Sequence, residues 1–423
     1  MLLHFWRSTR WAKGIVGIVS ILVLAMALMA AACAGEEQEI EKIGSSVVSR
    51  DPQTPIVIPT GEPIVIGVSA ALTGPTASLG LDTRDAVVVG VERWKAANGD
   101  QISGHDIIIY VEDDGCFEAD VTAFAAERLL SQEGLVGVIG PICSAGAMAA
   151  IPIYAEAGVV MISGTVTRTD VTLTQPEPRF FFRTTYTNAA EGILQARYAI
   201  SQLKAATAYI IDDSEAYGND LADWAQETLE ESGRQVTREH IVPGAVDFSQ
   251  LAAQIAADNP DVVIFEGYNP EGALLYRQLR DAGYGGPFVS SDGVASTSDF
   301  IEPLGEQAEG VVLAGGIPAL PEELLADYTE IVGHAPTTPF VGHLADAVHI
   351  LLDAVAEVAV EQEDGSLVID PLELREAVSN PKLLVGVSGI IAFDENGDRV
   401  GNAETIGLAM CEIKDGEFVC FQF

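Results

Sequence analysis

The chain has 423 residues, 62 of them acidic and 22 basic, for a formal net charge of -40. A field of that sign repels nucleic acid and anionic lipid surfaces, so nucleic acid is not a partner. Apolar residues make up 48%, and the length suits two cores better than one. The acids are dispersed along the chain, as on a solvated surface.

The elements begin with an export signal over residues 1–32. Arg7, Arg10 and Lys13 form a basic head, an uncharged and mostly apolar run follows from Gly14 to Gly35, and small residues precede Cys33. The run is also long enough to span a bilayer, so an uncleaved anchor is the alternative. Either way residues 34–423 lie outside the cytoplasm. Ala30-Ala-Ala-Cys33 resembles the lipobox of bacterial lipoproteins, with Ala30 in place of the usual Leu. That resemblance implies that Cys33 becomes a lipidated first residue, anchored to the bacterial cell membrane. Residues 33–61 are Glu-rich, with Pro52, Pro55 and Pro59; they read as an acidic flexible tether.

From Pro63 short apolar runs alternate with helical ones. Strands are expected at 64–69, 107–112, 135–139 and 159–162. Helices are expected over about 83–97, around Val121, Phe124, Ala125 and Leu129, and from Ser144. The rhythm restarts with strands at 208–211 and 262–265. The helix carrying Leu221, Trp224, Ala225, Thr228 and Leu229 ends at Gly233, and another helix covers about 272–282. Continuous apolar strands between helices mean parallel sheets covered on both faces. Two such series predict an α/β protein of two Rossmann-like lobes.

Five cysteines leave one to explain in an exported chain, and Cys33 is that one. Cys411-Glu-Ile-Lys-Asp-Gly-Glu-Phe-Val-Cys420 reads as a hairpin turning at Asp415-Gly416. Lys414 and Glu417 then form the hydrogen-bonded pair beside the turn. Counting outward, Cys411 and Cys420 form a non-hydrogen-bonded pair, where side chains come closest and a disulfide can form. Two buried free thiols are the alternative, less suited to an oxidising compartment.

Motifs for chemistry do not emerge. There is no G-x-G-x-x-G after a strand, no phosphate loop, no G-x-S-x-G and no H-E-x-x-H. His343 and His349 do not share a helix face. Asp394-Glu-Asn-Gly-Asp398 opens like a calcium loop, but Arg399 and Thr405 stand where Gly and Glu are needed, so it reads as a turn. No metal, cofactor or catalytic constellation is expected. Ligands of open α/β sheets bind at strand carboxyl ends. One such end is Gly140-Pro-Ile-Cys-Ser144, where a helix start and the Ser144 hydroxyl suit a carboxylate. The next, Ser163-Gly-Thr-Val-Thr-Arg168, adds Thr165 and Thr167. Taken singly, these could be a helix cap and loop residues.

Val138-Ile-Gly-Pro-Ile-Cys-Ser144, continuing through Ile153-Tyr-Ala-Glu-Ala-Gly-Val-Val-Met-Ile-Ser163, resembles the leucine/isoleucine/valine-binding proteins. These are receptors of branched-chain amino-acid ABC importers with the type I periplasmic-binding-protein fold. Further matches run in order: Ala71-Leu-Thr-Gly-Pro75, Val111-Glu-Asp-Asp-Gly-Cys116, Asp213-Ser-Glu-Ala-Tyr-Gly218, Glu266-Gly-Tyr-Asn-Pro270, Ser291-Asp-Gly293 and Phe393-Asp-Glu-Asn-Gly-Asp398.

The resemblance implies Ser144 and Thr167 as carboxylate ligands, Thr165 as a backbone contact, and a disulfide between Cys116 and Cys143. Asp292 stands where the family has a Glu for the ligand's ammonium. Tyr217 and Tyr268 match aromatic positions of the second lobe, and Phe340 an aromatic wall. Leu79 replaces a Tyr that shapes the side-chain pocket. The implied lobes are 62–185 with 316–398, and 186–315 with 399–423, joined by a three-strand hinge. The implied function is import of a small neutral, branched-chain amino acid by a monomeric receptor that docks on ABC permease subunits. An amide, an aromatic acid or another small carboxylate is the alternative ligand, and a sensor the alternative role.

Overall fold

The computed structural model describes residues 50–316, 320–382 and 385–423. The expected export signal and Cys33 lie outside them. Among the described residues no helix is long and apolar enough to cross a membrane.

The first sheet is built from β1 (Ile64–Ala70), β2 (His105–Asp113), β3 (Leu135–Ile139), β4 (Val160–Ser163) and β5 (Phe181–Arg183). Its order is β2-β1-β3-β4-β5, all parallel, with the short strand Gln101–Ile102 antiparallel on the β2 edge. All seven residues of β1 are buried. Ile64, Ile66 and Val68 face one core and Val65 the other, as the two-residue period of a strand requires. Helices α1 (Ala77–Asn98), α2 (Ala119–Leu130) and α3 (Ser144–Glu156) follow β1, β2 and β3.

The second sheet contains β6 (Thr207–Asp212), β7 (Gln235–His240), β8 (Val262–Glu266), β9 (Phe288–Ser290), β10 (Val312–Gly315), β11 (Ala409–Lys414) and β12 (Glu417–Phe421). Its order is β12-β11-β10-β9-β8-β6-β7. The strands from β6 to β10 are parallel, and β11 and β12 form an antiparallel hairpin at the edge. Alternate residues of β8 again serve two cores: Val263 and Phe265 pack with α6 (Ser249–Asp258) and α7 (Glu271–Asp281), whereas Val262 and Ile264 pack with α4 (Asn188–Ser201) and α5 (Ala216–Glu231).

The chain passes between the sheets after β5, after β10, and again before β11. In the second passage it returns to the first sheet to add α8 (Glu322–Val332), α9 (Val341–Val358) and α10 (Pro371–Ser379). Helix α9 lies so close to β3 that a Cβ on Gly137 would stand 2.7 Å from Leu351.

Two expectations are corrected. The tether expected to run to residue 61 is folded from Arg50 onward. Ile56–Ile58 pairs antiparallel with Leu367–Ile369, burying Ile56 and Ile58. The Arg50 guanidinium donates to the carbonyls of Leu130, Gln132 and Leu135 at 3.2, 2.8 and 3.0 Å. Three alternating residues are enough to build an edge strand, and a composition rich in Pro and Glu hides them. Likewise α1 begins at Ala77 rather than near 83, which puts Ser78 and Leu79 on its first turn.

Both disulfides are present. Cys411 and Cys420 are register partners on β11 and β12 with Cα atoms 3.9 Å apart, and Asp415 and Gly416 turn the hairpin with positive φ. Cys116 joins Cys143 at a Cα separation of 5.2 Å, tying the loop after β2 to the residue before α3.

Candidate functional site

The carboxyl ends of both sheets carry the polar loops. After β3, Gly140 adopts φ 111°, and a Cβ there would lie 2.1 Å from the Ser69 carbonyl. Only glycine permits that approach, and it brings the ends of β1 and β3 together. Helix α3 then starts at Ser144, which is itself the first helical residue; Cys143 is the cap position. The Ser144 hydroxyl accepts the Arg168 N–H at 3.3 Å. The Thr165 hydroxyl donates to the Ile142 carbonyl at 2.9 Å and its N–H turns to the Ser163 hydroxyl at 3.2 Å. The two expected loops are therefore stitched to each other.

The Thr167 hydroxyl is different: it is buried and has no partner among the described residues. Its loop is held by Arg183, fully buried, which donates to the carbonyls of Val166 and Arg168 and pairs with Asp398 at 2.5 Å. Asp398 also takes the Thr172 hydroxyl. The carboxylate that resembled a calcium ligand is thus engaged in bracing this loop.

On the second sheet Asp292 follows β9 and is 6% exposed. Its Oδ1 accepts the Tyr217 hydroxyl at 2.6 Å, and its Oδ2 accepts the Tyr186 hydroxyl. Tyr186 in turn accepts the Gly316 N–H at 2.7 Å, and Tyr217 accepts that of Gly293 at 3.1 Å. Each phenol is fixed from behind. Tyr186 and Gly316 stand on two of the passages between the sheets. Burial pushes the Asp292 carboxyl up to about 6, against the two hydroxyl hydrogen bonds, which pull it down. Behind it Glu191, fully buried, accepts the Asp292 N–H at 3.1 Å. Burial, then Asp292 and Glu266, hold the Glu191 carboxyl well above the usual range.

Asp292 lines a small cavity with Leu79, Tyr268 and Phe340. Four of the expected residues, from both sheets, thus meet at one place. Tyr217 joins them through Asp292 and through its ring, 4.9 Å from that of Tyr268. Phe117, next to Cys116, stacks edge-on to Tyr268 at 5.5 Å. Asn188 links the two halves: its N–H donates to the Thr167 carbonyl at 2.7 Å and its side chain to the Tyr217 carbonyl at 3.1 Å. Ser144, Thr165 and Thr167 are not part of the cavity lining. The cavity measures about 20 Å³, room for roughly one water.

The family described as periplasmic binding protein matches residues 63–416. The chain belongs to the periplasmic binding protein family. A Leu/Ile/Val-binding protein of Rhizobium johnstonii is 30% identical over 339 residues, 79% of this chain and 88% of that protein. A Leu/Ile/Val/Thr-binding protein of Salmonella typhimurium is 29% identical over 80% of this chain and 89% of its own. The crystal structure of a leucine-binding protein from Thermotoga maritima superposes with a TM-score of 0.72 at 26% identity, covering 85% of this chain and 98% of that one. A solute-binding protein of Rhodopseudomonas palustris in complex with 3,4-dihydroxybenzoic acid shares the fold, at a TM-score of 0.71 and 22% identity. The fold is therefore the type I periplasmic-binding-protein fold, and as a periplasmic binding protein the chain is not an enzyme.

This periplasmic binding protein carries site residues that sequence reasoning did not find. Tyr186 sits in Arg183-Thr-Thr-Tyr-Thr187, where nothing separates it from any other loop tyrosine. Thr76, Ser78, Asn269, Ser296, Asp299 and Thr338 also line the cavity. For Asn269 a signal existed, since it follows Tyr268 at a strand end. For Ser78 it was hidden by the late helix start.

Proposed function

We propose that this chain is the extracytoplasmic, lipid-anchored receptor of an ABC importer, closing two lobes on a small neutral amino acid. The ligand's ammonium meets Asp292. Its carboxylate meets the start of α3 with Ser144, Thr167 and the loop of Thr165, and the relatives' names point to a branched-chain side chain. Permease subunits in the membrane then receive the closed receptor. The observation that carries this reading is Asp292, a buried carboxylate aimed by two tyrosines at a cavity lined from both sheets. A ligand touching both lobes favours closure by its differential affinity. The Thr167 hydroxyl, buried and without a partner among the described residues, is a further candidate donor.

A thermal-shift screen of amino acids against amides and aromatic or other small carboxylates tests the reading. Amino acids should raise Tm, and their amine-free analogues should not. If only compounds without an amine raise it, the alternative ligand classes replace this one. Lipidation rests on Ala30-Ala-Ala-Cys33, and mass spectrometry of the native N-terminus should find a modified Cys33; an unmodified Cys33 removes the anchor.

A further inference from the structure

The part of the cavity lining other than Asp292 is mainly apolar, but it is not apolar throughout. Pro75, Leu79, Ala295 and Phe340 belong to it, but so do Thr76, Asn269 and Asp299. Thr76 is 5% exposed and Asn269 6%. The Thr76 hydroxyl and the Asn269 side-chain oxygen are buried without a hydrogen-bond partner among the described residues. The orientation of the Asn269 amide is fixed, because its NH₂ donates to the Val294 carbonyl at 3.1 Å and an oxygen turned there would face another oxygen. The group that Asn269 leaves unpaired is therefore an acceptor.

Asp299 offers more of the same. One of its oxygens takes the Ser78 hydroxyl, reaching from α1 across the cleft, and the other takes Ser298 at only 3.3 Å. A carboxylate has about four acceptor positions, so capacity remains.

A branched aliphatic side chain here would cover these groups and give them nothing. Buried polar atoms left unpaired cost binding energy, and a site built to hydrogen-bond discriminates strongly against an analogue that lacks the donor. Resting on the amino-acid reading above, we propose that the side-chain half of the cleft selects ligands whose side chain carries an O–H or N–H donor. Asp299, Asn269 and Thr76 are the specificity-determining residues. Leu79 and Phe340 then pack the carbon stem rather than a branched end. On this argument the preferred ligand is a hydroxylated or carboxamide amino acid of modest size.

Calorimetry with near-isosteric pairs tests it: threonine against valine, asparagine against leucine, glutamine against methionine. In at least one pair the polar member should bind ten- to a hundredfold tighter, the range expected for one or two hydrogen bonds gained against groups otherwise left unpaired. Asp299→Ala should shrink that ratio about tenfold. Because Asp299 also bonds Ser78 across the cleft, the variant can weaken all ligands together; the ratio is blind to that loss. Ser78→Ala, which removes the cross-cleft bond and leaves the carboxylate, should lower both members equally. Residual binding of the apolar member reports that the variants are folded. Apolar members binding as tightly as polar ones in all three pairs, or a ratio unmoved by Asp299→Ala, overturns the inference. If apolar amino acids bind and Asp292→Asn weakens them, the amino-acid reading survives that outcome. If no amino acid binds at all, both fall.

Discussion

Replacing Asp292 by Asn tests the centre of the site with little change of shape. In the wild type each carboxylate oxygen takes one phenol, Tyr217 at 2.6 Å and Tyr186 on the other side. Both phenols already accept a backbone N–H, so each has a single hydrogen to give and gives it to Asp292. In the variant the amide oxygen keeps one phenol. The amide NH₂ must face the other, whose hydrogen then loses its acceptor, at a cost of about 1–3 kcal/mol. Against that, the wild-type carboxyl is raised from 3.8 to about 6 by burial, so its ionised form costs the fold about 3 kcal/mol at neutral pH. The variant no longer bears that cost. The two effects oppose each other at similar size, so the ligand-free variant should melt within a few degrees of the wild type. Ligand binding has no such offset. Removing one partner of a buried charge pair costs about 2–5 kcal/mol, or roughly thirty- to several-thousandfold in Kd. Calorimetry with the best amino acid from the screen measures it, with the amine-free analogue as control. An Asp292→Asn variant that melts normally and binds the amino acid as tightly as the wild type refutes the assignment of Asp292 to the ammonium.

Affinity should also fall with acidity, because protonating Asp292 near pH 6 removes the charge that the ammonium needs. The ligand-free protein should respond with the opposite sign. Burial raises Asp114 to about 6 and Asp213 to about 7, so their contribution is present below the unfolded value near 4 and is lost as pH rises through 6 to 7. Melts from pH 5 to 8 should therefore show a smaller loss of Tm with rising pH in Asp213→Asn than in the wild type, and an unchanged pH dependence in that variant would contradict the raised Asp213 carboxyl. Replacing both cysteines of one bridge by Ser should cost about 3 kcal/mol for Cys411–Cys420 and somewhat more for the longer Cys116–Cys143 loop; denaturant titration that finds no loss removes the stabilising role. A chain starting at residue 62 should be less stable than one starting at 49 by about 3–5 kcal/mol. It loses Ile56, Ile58 and the three Arg50 hydrogen bonds. Equal stability in denaturant would return residues 50–61 to the tether.

The sheets were legible where a strand is buried on both faces. Runs such as Ile64-Val-Ile-Gly-Val and Val262-Val-Ile-Phe have no polar residue because helices cover both sides of them. Strand β7 was missed for the complementary reason. It is an edge strand, largely exposed, and its Gln-Val-Thr-Arg-Glu-His sequence has no apolar run to see. Strands β5 and β9 are three residues long, below what a period can reveal. The hairpin at Asp415-Gly416 was legible to its register, since turn chemistry fixes pairing locally. Ile56–Ile58 depends instead on a partner some 300 residues away, and no local rule points there.

The site divides along the same line. Residues at strand ends followed from the rule that α/β sheets bind ligands there, and their identities followed from motif resemblance. The groups that set the properties of those residues did not. Asp292 is positioned by phenols 106 and 75 residues earlier in the chain, and the Thr167 loop is braced by Arg183 against Asp398, 215 residues later. Such partners are fixed by how the two sheets pass the chain between them, a property of topology and not of any segment. The same holds for the side-chain half of the cleft. Ser78 and Asp299 meet across 221 positions, one at the first turn of a helix expected to start later, the other in the short helical turn Thr297–Ile301, which no motif marks. A resemblance carried residue by residue transfers the shared backbone-facing contacts of a family. It cannot transfer the residues by which one member departs from it. In this chain Leu79, which stands where the family has a tyrosine, and Asp299, which no motif marks, both line the cavity.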